Sequence, residues 1–159
     1  MIGKTATEYL QSSDLLVQGL RKANELYKPD GLPIAFDLQI EAEVLGCDLH
    51  WGDQVPPAVV SHPLTQCAIE DLPELSPHRG RFPVVLEAMR RLVPEIGDEV
   101  ALYGLVCGPF TLALHLLGND IFLKMFDEPN EVKKLIDYCA GICIASASIY
   151  LEHGAAVIA

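Results

Sequence analysis

Basic residues are scarce in this chain: 11 Lys and Arg stand against 22 Asp and Glu, a formal net charge of -11. Nucleic acid and anionic membrane surfaces both ask for clustered Lys and Arg, so neither is the expected partner. Disulfide-type spacing is also missing. The five cysteines (Cys47, Cys67, Cys107, Cys139, Cys143) are an odd number, and no signal-peptide pattern precedes them, which points to a reducing cytoplasm. The apolar uncharged run Tyr138 to Leu151 falls short of the roughly 20 apolar residues of a membrane span. Gly104, Gly108 and Gly118 fit neither G-x-G-x-x-G nor a P-loop, and no Ser sits in a G-x-S-x-G elbow. Dinucleotide-binding and hydrolase readings therefore have no support. Repeats and low-complexity linkers are lacking too, apart from a Pro-rich patch at Val55 to Pro63.

What the chain does have is apolar content. Half of its 159 residues are hydrophobic, enough for one domain with a substantial core and incompatible with disorder. The organising stretch is Leu32 to Gly46 (LPIAFDLQIEAEVLG). Ile34, Ala35 and Phe36 read as a buried strand that stops at a lone carboxylate, Asp37. Ile40, Val44 and Leu45 then fall at helical spacing, with Gly46 as the stop. A strand thus delivers an acid to the strand-to-helix turn, the end of an α/β unit where ligands bind.

Along the rest of the chain, Thr5-x-x-Glu8 reads as a capping box opening a helix to about Tyr27, and Lys28-Pro-Asp-Gly31 as a turn. Asp48 to Trp51 is a short strand, Val55 to Pro63 an extended stretch barred from the centre of a sheet, and Ser76 to Arg81 a loop. Pro83 starts a helix to about Val93, Glu99 to Val106 is the second main strand, and Pro109 opens a helix to Leu117. A long helix runs from Asp127-Glu-Pro to near His153, and Ala155 to Ala159 is the third main strand. The alternation, with strands apolar throughout, predicts an α/β fold with a parallel sheet. Three strands make a thin sheet and the last lacks a covering helix, so the expectation is a section of a larger α/β protein; a complete small domain is the alternative.

PIAFDLQIEAEVLGCDLHWG, VCGPFTLALHLLG, the DEPNEVKKLID helix start and the EHGAAVIA ending occur in an order and spacing that resembles the uroporphyrinogen decarboxylase superfamily. That group includes the methylcobamide:coenzyme M and related corrinoid-dependent methyltransferases. The resemblance implies a (β/α)8 TIM barrel of which residues 1–159 form one partial segment, lacking the first strand and the C-terminal half. It also implies that the decarboxylases' arginine-bearing loop lies upstream and the methyltransferases' zinc-binding His and Cys ligands lie downstream, so that the segment alone binds no cofactor and has no turnover.

On the same resemblance, Asp37 matches the aspartate that accepts pyrrole N–H groups at the decarboxylase barrel mouth, where a fixed anion stabilises ring protonation. The residues alone allow a simple helix N-cap there instead. His115 stands where decarboxylases carry a tyrosine; it can donate a hydrogen bond or shuttle a proton, or it is an inner-face histidine bonded to a neighbour. Glu41, four residues after Asp37, would lie near the same helix face, and such a pair can raise one carboxyl's pKa. Glu43 reads more readily as a solvated residue. Phe36, Glu41 and Phe110 are the candidate substrate-binding residues, with Asp37 and His115 as the catalytic pair. Cys139 and Cys143 lie one turn apart on an apolar helix, and Cys47-x-x-His50 offers only two ligands where zinc wants three or four.

The EAEVLGC-DLHWG wording and His115 in place of tyrosine lean towards the methyltransferase branch: methyl transfer from a methylated cobamide on a partner protein to a thiol-type acceptor, with zinc in the whole enzyme. Uroporphyrinogen III decarboxylation to coproporphyrinogen is the alternative, and a non-catalytic scaffold a third reading. A tetrapyrrole or corrinoid protein and a small methyl acceptor are the expected partners, and a homodimer is compatible with the sequence.

Overall fold

Three parallel strands form the sheet, in the order β1-β4-β5. The computed structural model describes residues 3–159. β1 (Gly31–Pro33) pairs with β4 (Ala101–Gly104), and β4 with β5 (Val157–Ile158). Single hydrogen bonds extend the ladders past these limits: the Ile34 N–H donates to the Tyr103 carbonyl at 3.0 Å and the Val106 N–H to the Ala159 carbonyl at 2.8 Å. A separate antiparallel ribbon joins β2 (Leu49–His50) to β3 (Ala58–Val59), which accommodates the prolines around it. With helices between successive parallel strands, the architecture is an arc of a (β/α)8 barrel.

The helices are α1 (Ala6–Leu10), α2 (Ser13–Tyr27), α3 (Ile40–Val44), α4 (Phe82–Ile96), α5 (Pro109–Leu117), α6 (Asp120–Asp127) and α7 (Pro129–Glu152). The capping box at Thr5 and Glu8 is present, but the helix it opens ends at Leu10. Ser12 then adopts an extended backbone and its hydroxyl accepts the Leu15 N–H at 3.3 Å, starting a second helix where the sequence reading expects one continuous helix. α4 runs a turn beyond Val93 and tolerates Pro94 near its end. α6 has no counterpart in the sequence reading; it buries only Ile121 and leaves Phe122, Leu123, Met125 and Phe126 exposed.

The uncharged run that looks too short for a membrane span belongs to the 24-residue α7, which is long and apolar enough to cross one by length and composition alone. In this fold α7 turns Leu135, Cys139, Ser146 and Tyr150 inward and packs on α5, β4 and β5.

Two apolar cores lie on either side of α3. The first joins α2 and α4 to the sheet through Leu16, Val17, Ile34, Phe82, Met89 and Leu102; the second joins α5 to α7 through Leu112, Leu116, Leu135 and Cys139. Ile40 and Val44 point into the first, Ala42 and Leu45 into the second. One five-residue helix therefore sits at the seam, and its acidic residues are fixed from both sides. At the end of β4, Gly104 receives the Tyr150 ring: a Cβ there would lie 2.4 Å from Tyr150 Cγ.

Candidate active site

The chain leaves the sheet after Ile34, and from that point its side chains diverge. Phe36, expected in a buried strand, is 71% exposed, because hydrogen-bonded pairing stops at Ile34 and the backbone turns outward. Asp37 goes the other way and is only 2% exposed. One of its carboxylate oxygens accepts the Gln39 N–H at 2.8 Å, and the other receives Arg81 Nη1 in a buried ion pair. The helix N-cap position is held by Gln39 without a side-chain bond, so Asp37 forms a turn just ahead of the cap.

Arg81 is the residue that sequence reasoning missed. It lies at the end of the segment read as a loop, yet its side chain is 5% exposed and holds two acids at once. Its Nε donates to Glu43 at 2.7 Å, so Glu43 is half-buried and ion-paired rather than simply solvated. The guanidinium lies 4.7 Å from the centroid of the Trp51 ring. Burial opposes the charge on Arg81, but hydrogen bonding to Asp37 and the charges of Asp37 and Glu43 outweigh it and raise its pKa. Nη2 has no partner. The only sequence signal for this role is the second arginine of Arg79-Gly80-Arg81, at the start of an apolar helix.

Glu41 is fully buried, and neither carboxylate oxygen makes a hydrogen bond of ordinary geometry. Burial pushes its pKa up to about 7. Hydrogen bonding from its own backbone, the Ser146 hydroxyl and the Cys107 backbone, looser than ordinary geometry, pulls it down, and the Asp37 charge pushes it up. The carboxyl pKa is raised, as the sequence argument expects, but burial rather than the Asp37 charge is the main cause.

His115 lies on α5, partly buried, and its Nδ1 is buried without a partner; the neighbour-bonded histidine of the sequence reading is not what forms at that atom. Burial lowers its pKa, His62 adds to the lowering, and Asp37 opposes it. The His115 carbonyl accepts the His62 Nδ1–H at 2.8 Å, tying the 62–66 segment to α5. Phe110, at the first turn of α5, is 44% exposed and stacks obliquely on Phe122 at 6.3 Å. Asp37, Glu41 and His115 therefore gather at the carboxyl ends of β1 and β4, with Phe36 and Phe110 open on the same end of the strands.

The donor set does not fit zinc. Among the described residues, no group of three or more His, Cys, Asp and Glu is placed to hold a metal ion. Burial pushes the Cys47, Cys107 and Cys139 thiols up to about 12 and Cys143 to about 11, the opposite of a poised thiolate. A cleft of about 520 Å³ between residues 64–70 and α6–α7 includes none of the residues above.

A family model described as uroporphyrinogen decarboxylase (URO-D) matches residues 1–159. The chain belongs to the uroporphyrinogen decarboxylase family. Within that family it is 34% identical over 134 residues to the methylcobamide:CoM methyltransferase MtbA of Methanosarcina acetivorans, covering 82% of this chain and 39% of that protein. It is 26% identical over 158 residues to the uroporphyrinogen decarboxylase of Prochlorococcus marinus, covering 95% of this chain and 45% of that protein. A solved methyltransferase from Methanosarcina mazei superposes with a TM-score of 0.88 at 26% identity, over 99% of this chain and 48% of that one. The chain thus spans about two fifths to one half of the length of these relatives. For a uroporphyrinogen decarboxylase family member, the ligand-binding end of the barrel is the end at which Asp37, Glu41 and Arg81 meet.

Proposed function

We propose that the whole protein transfers a methyl group from a methylated cobamide, carried by a partner protein, to a thiol-type acceptor. One observation carries this reading: both oxygens of Asp37 are engaged, by Arg81 and by the Gln39 amide. Decarboxylation of a pyrrole acetate builds positive charge on the ring and calls for a free anion beside it. Here the anion is already offset by a buried cation. Methyl transfer to sulfur makes no such demand, since the acceptor arrives as a nucleophile and leaves as a neutral thioether. The similarity to MtbA supports the same branch.

In this reading the Asp37–Arg81–Glu43 cluster is a rigid wall that fixes the start of α3. His115 contributes a free ring nitrogen to the site, and Phe36 and Phe110 give the mouth its apolar face. The test is direct. Full-length protein mixed with methylcobalamin and an alkyl thiol should convert the methyl-Co(III) spectrum to that of Co(I). The same preparation should leave uroporphyrinogen III undecarboxylated. Decarboxylation without methyl transfer would overturn the proposal in favour of the other branch.

A further inference from the structure

We infer that the outer face of α6 is the seat of the cobamide-carrying protein, an inference that rests on the methyl-transfer proposal and locates its partner. α6 presents most of its apolar side chains away from the core. Only Ile121 is buried, while Phe122, Leu123, Met125 and Phe126 face solvent, Phe126 at 86% exposure. Beside Met125 an apolar groove of about 300 Å³ is lined by Pro129, Val132 and Ile136. Single exposed apolar side chains are ordinary, but a contiguous cluster with an adjoining groove marks an interaction surface.

Position and charge choose the occupant. Phe122 stacks obliquely on Phe110 at 6.3 Å, and Phe110 opens at the carboxyl ends of the strands, so the face is continuous with the mouth of the site. A cobamide held by a protein reaches that mouth only if its carrier sits on the rim, and α6 is the apolar helix there. The border of the face is acidic. Lys124, Lys133 and Lys134 are each taken up by a neighbouring acid: Glu128, Asp137 and Glu131 respectively. Among the described residues, Asp120 and Asp127, at the two ends of α6, have no ion-pair partner. The surface that fits is therefore apolar at its centre and carries Lys or Arg at its border.

The same acids disfavour other occupants. They repel an anionic lipid surface, and contact between two copies through α6 would bring two acidic borders together. The remaining strands of a barrel join at the free edges of β1 and β5, whereas α6 packs on α5 and α7 rather than on either edge strand. A helix following β5 has a separate apolar stripe to cover: Ile144 and Leu151, exposed on one face of the half of α7 that leads to β5.

The test uses the full-length protein, an alkyl thiol and two methyl donors: free methylcobalamin, and a corrinoid-binding carrier protein loaded with methylcobalamin. L123K/F126K should raise KM for the loaded carrier by about 10-fold or more and change the rate with free methylcobalamin by no more than about twofold. D120K/D127K should show the same selectivity, and added salt should weaken wild-type use of the carrier alone. In unmodified protein the amides of residues 121–127 should exchange more slowly once the loaded carrier is added, a readout that holds even if the variants do not fold. Equal losses with the two donors, or unchanged exchange at α6, would overturn the inference. So would a wild-type dimer in sedimentation that L123K/F126K converts to monomer, which would give the face to a second copy. Wild type that uses free methylcobalamin but not the loaded carrier removes the seat and leaves methyl transfer standing. Use of neither donor removes the methyl-transfer reading and this inference with it.

Discussion

Asp37 and Arg81, 44 positions apart, form an ion pair whose side chains are almost completely withdrawn from solvent. Breaking such a pair from one side strands a charge, which typically costs about 3–5 kcal/mol, whereas replacing both members is much milder. Arg81→Met should therefore lower the stability of the fold by about that amount, and Asp37→Asn/Arg81→Met should recover most of it. Urea denaturation of the single and double variants measures both. Additive losses would show that the two residues do not act as a unit.

Glu41 links stability to pH in the direction opposite to a salt-bridged acid. Its folded pKa of about 7 lies above the ordinary carboxyl value of 4.5, so folding favours the protonated form. The full contribution is present below about pH 4.5 and is lost as pH rises to about 7, a swing on the order of 3 kcal/mol. Glu41→Gln should flatten that part of the profile and leave the variant more stable than wild type on the alkaline side. Denaturation midpoints across this pH range check it, and parallel profiles for the two proteins would refute it.

Gly104 is fixed by close approach. Its added Cβ would overlap the Tyr150 ring, which is buried between β4 and Phe82, so Gly104→Ala should cost about 1–3 kcal/mol. Adding Tyr150→Leu should recover part of the loss relative to Y150L alone. Thermal melts of the four proteins in the cycle would show the coupling; a neutral G104A would mean the ring moves aside freely.

The break between α1 and α2 rests on Ser12. Ser12→Ala removes the side-chain bond to the Leu15 N–H and should destabilise by about 1 kcal/mol, while Ser12→Gly should cost only a few tenths. Equal effects from the two substitutions would point to backbone strain rather than capping.

The elements legible in the sequence are those whose signals are local. The apolar run before Asp37, the Pro109 and Pro129 helix starts and the apolar strand at Ala101–Gly104 each announce themselves within a few residues. Asp37 was readable as the acid at the end of a strand; Glu41 does lie on a helix, but Asp37 stands in the turn ahead of its N-cap, so the two are not neighbours on one helix face. What could not be read is whatever depends on distant partners. Arg81 acquires its role only when the start of α4 is brought beside Asp37 and Glu43, and Glu41's surroundings include Cys107, Ser146 and Tyr150, which arrive from much later in the chain. Phe36 failed for the converse reason: composition says strand, but the hydrogen-bonded partner on β4 runs out one step earlier, at Tyr103.

Trp51, the one tryptophan in the sequence, rests against the guanidinium that binds Asp37 and Glu43. Indole emission responds to a nearby cation and to water, so this contact gives the protein an optical gauge placed beside its own candidate site. Loss of the Arg81 cluster can be followed from the intrinsic fluorescence of residues 1–159, with no label attached and no other indole within them.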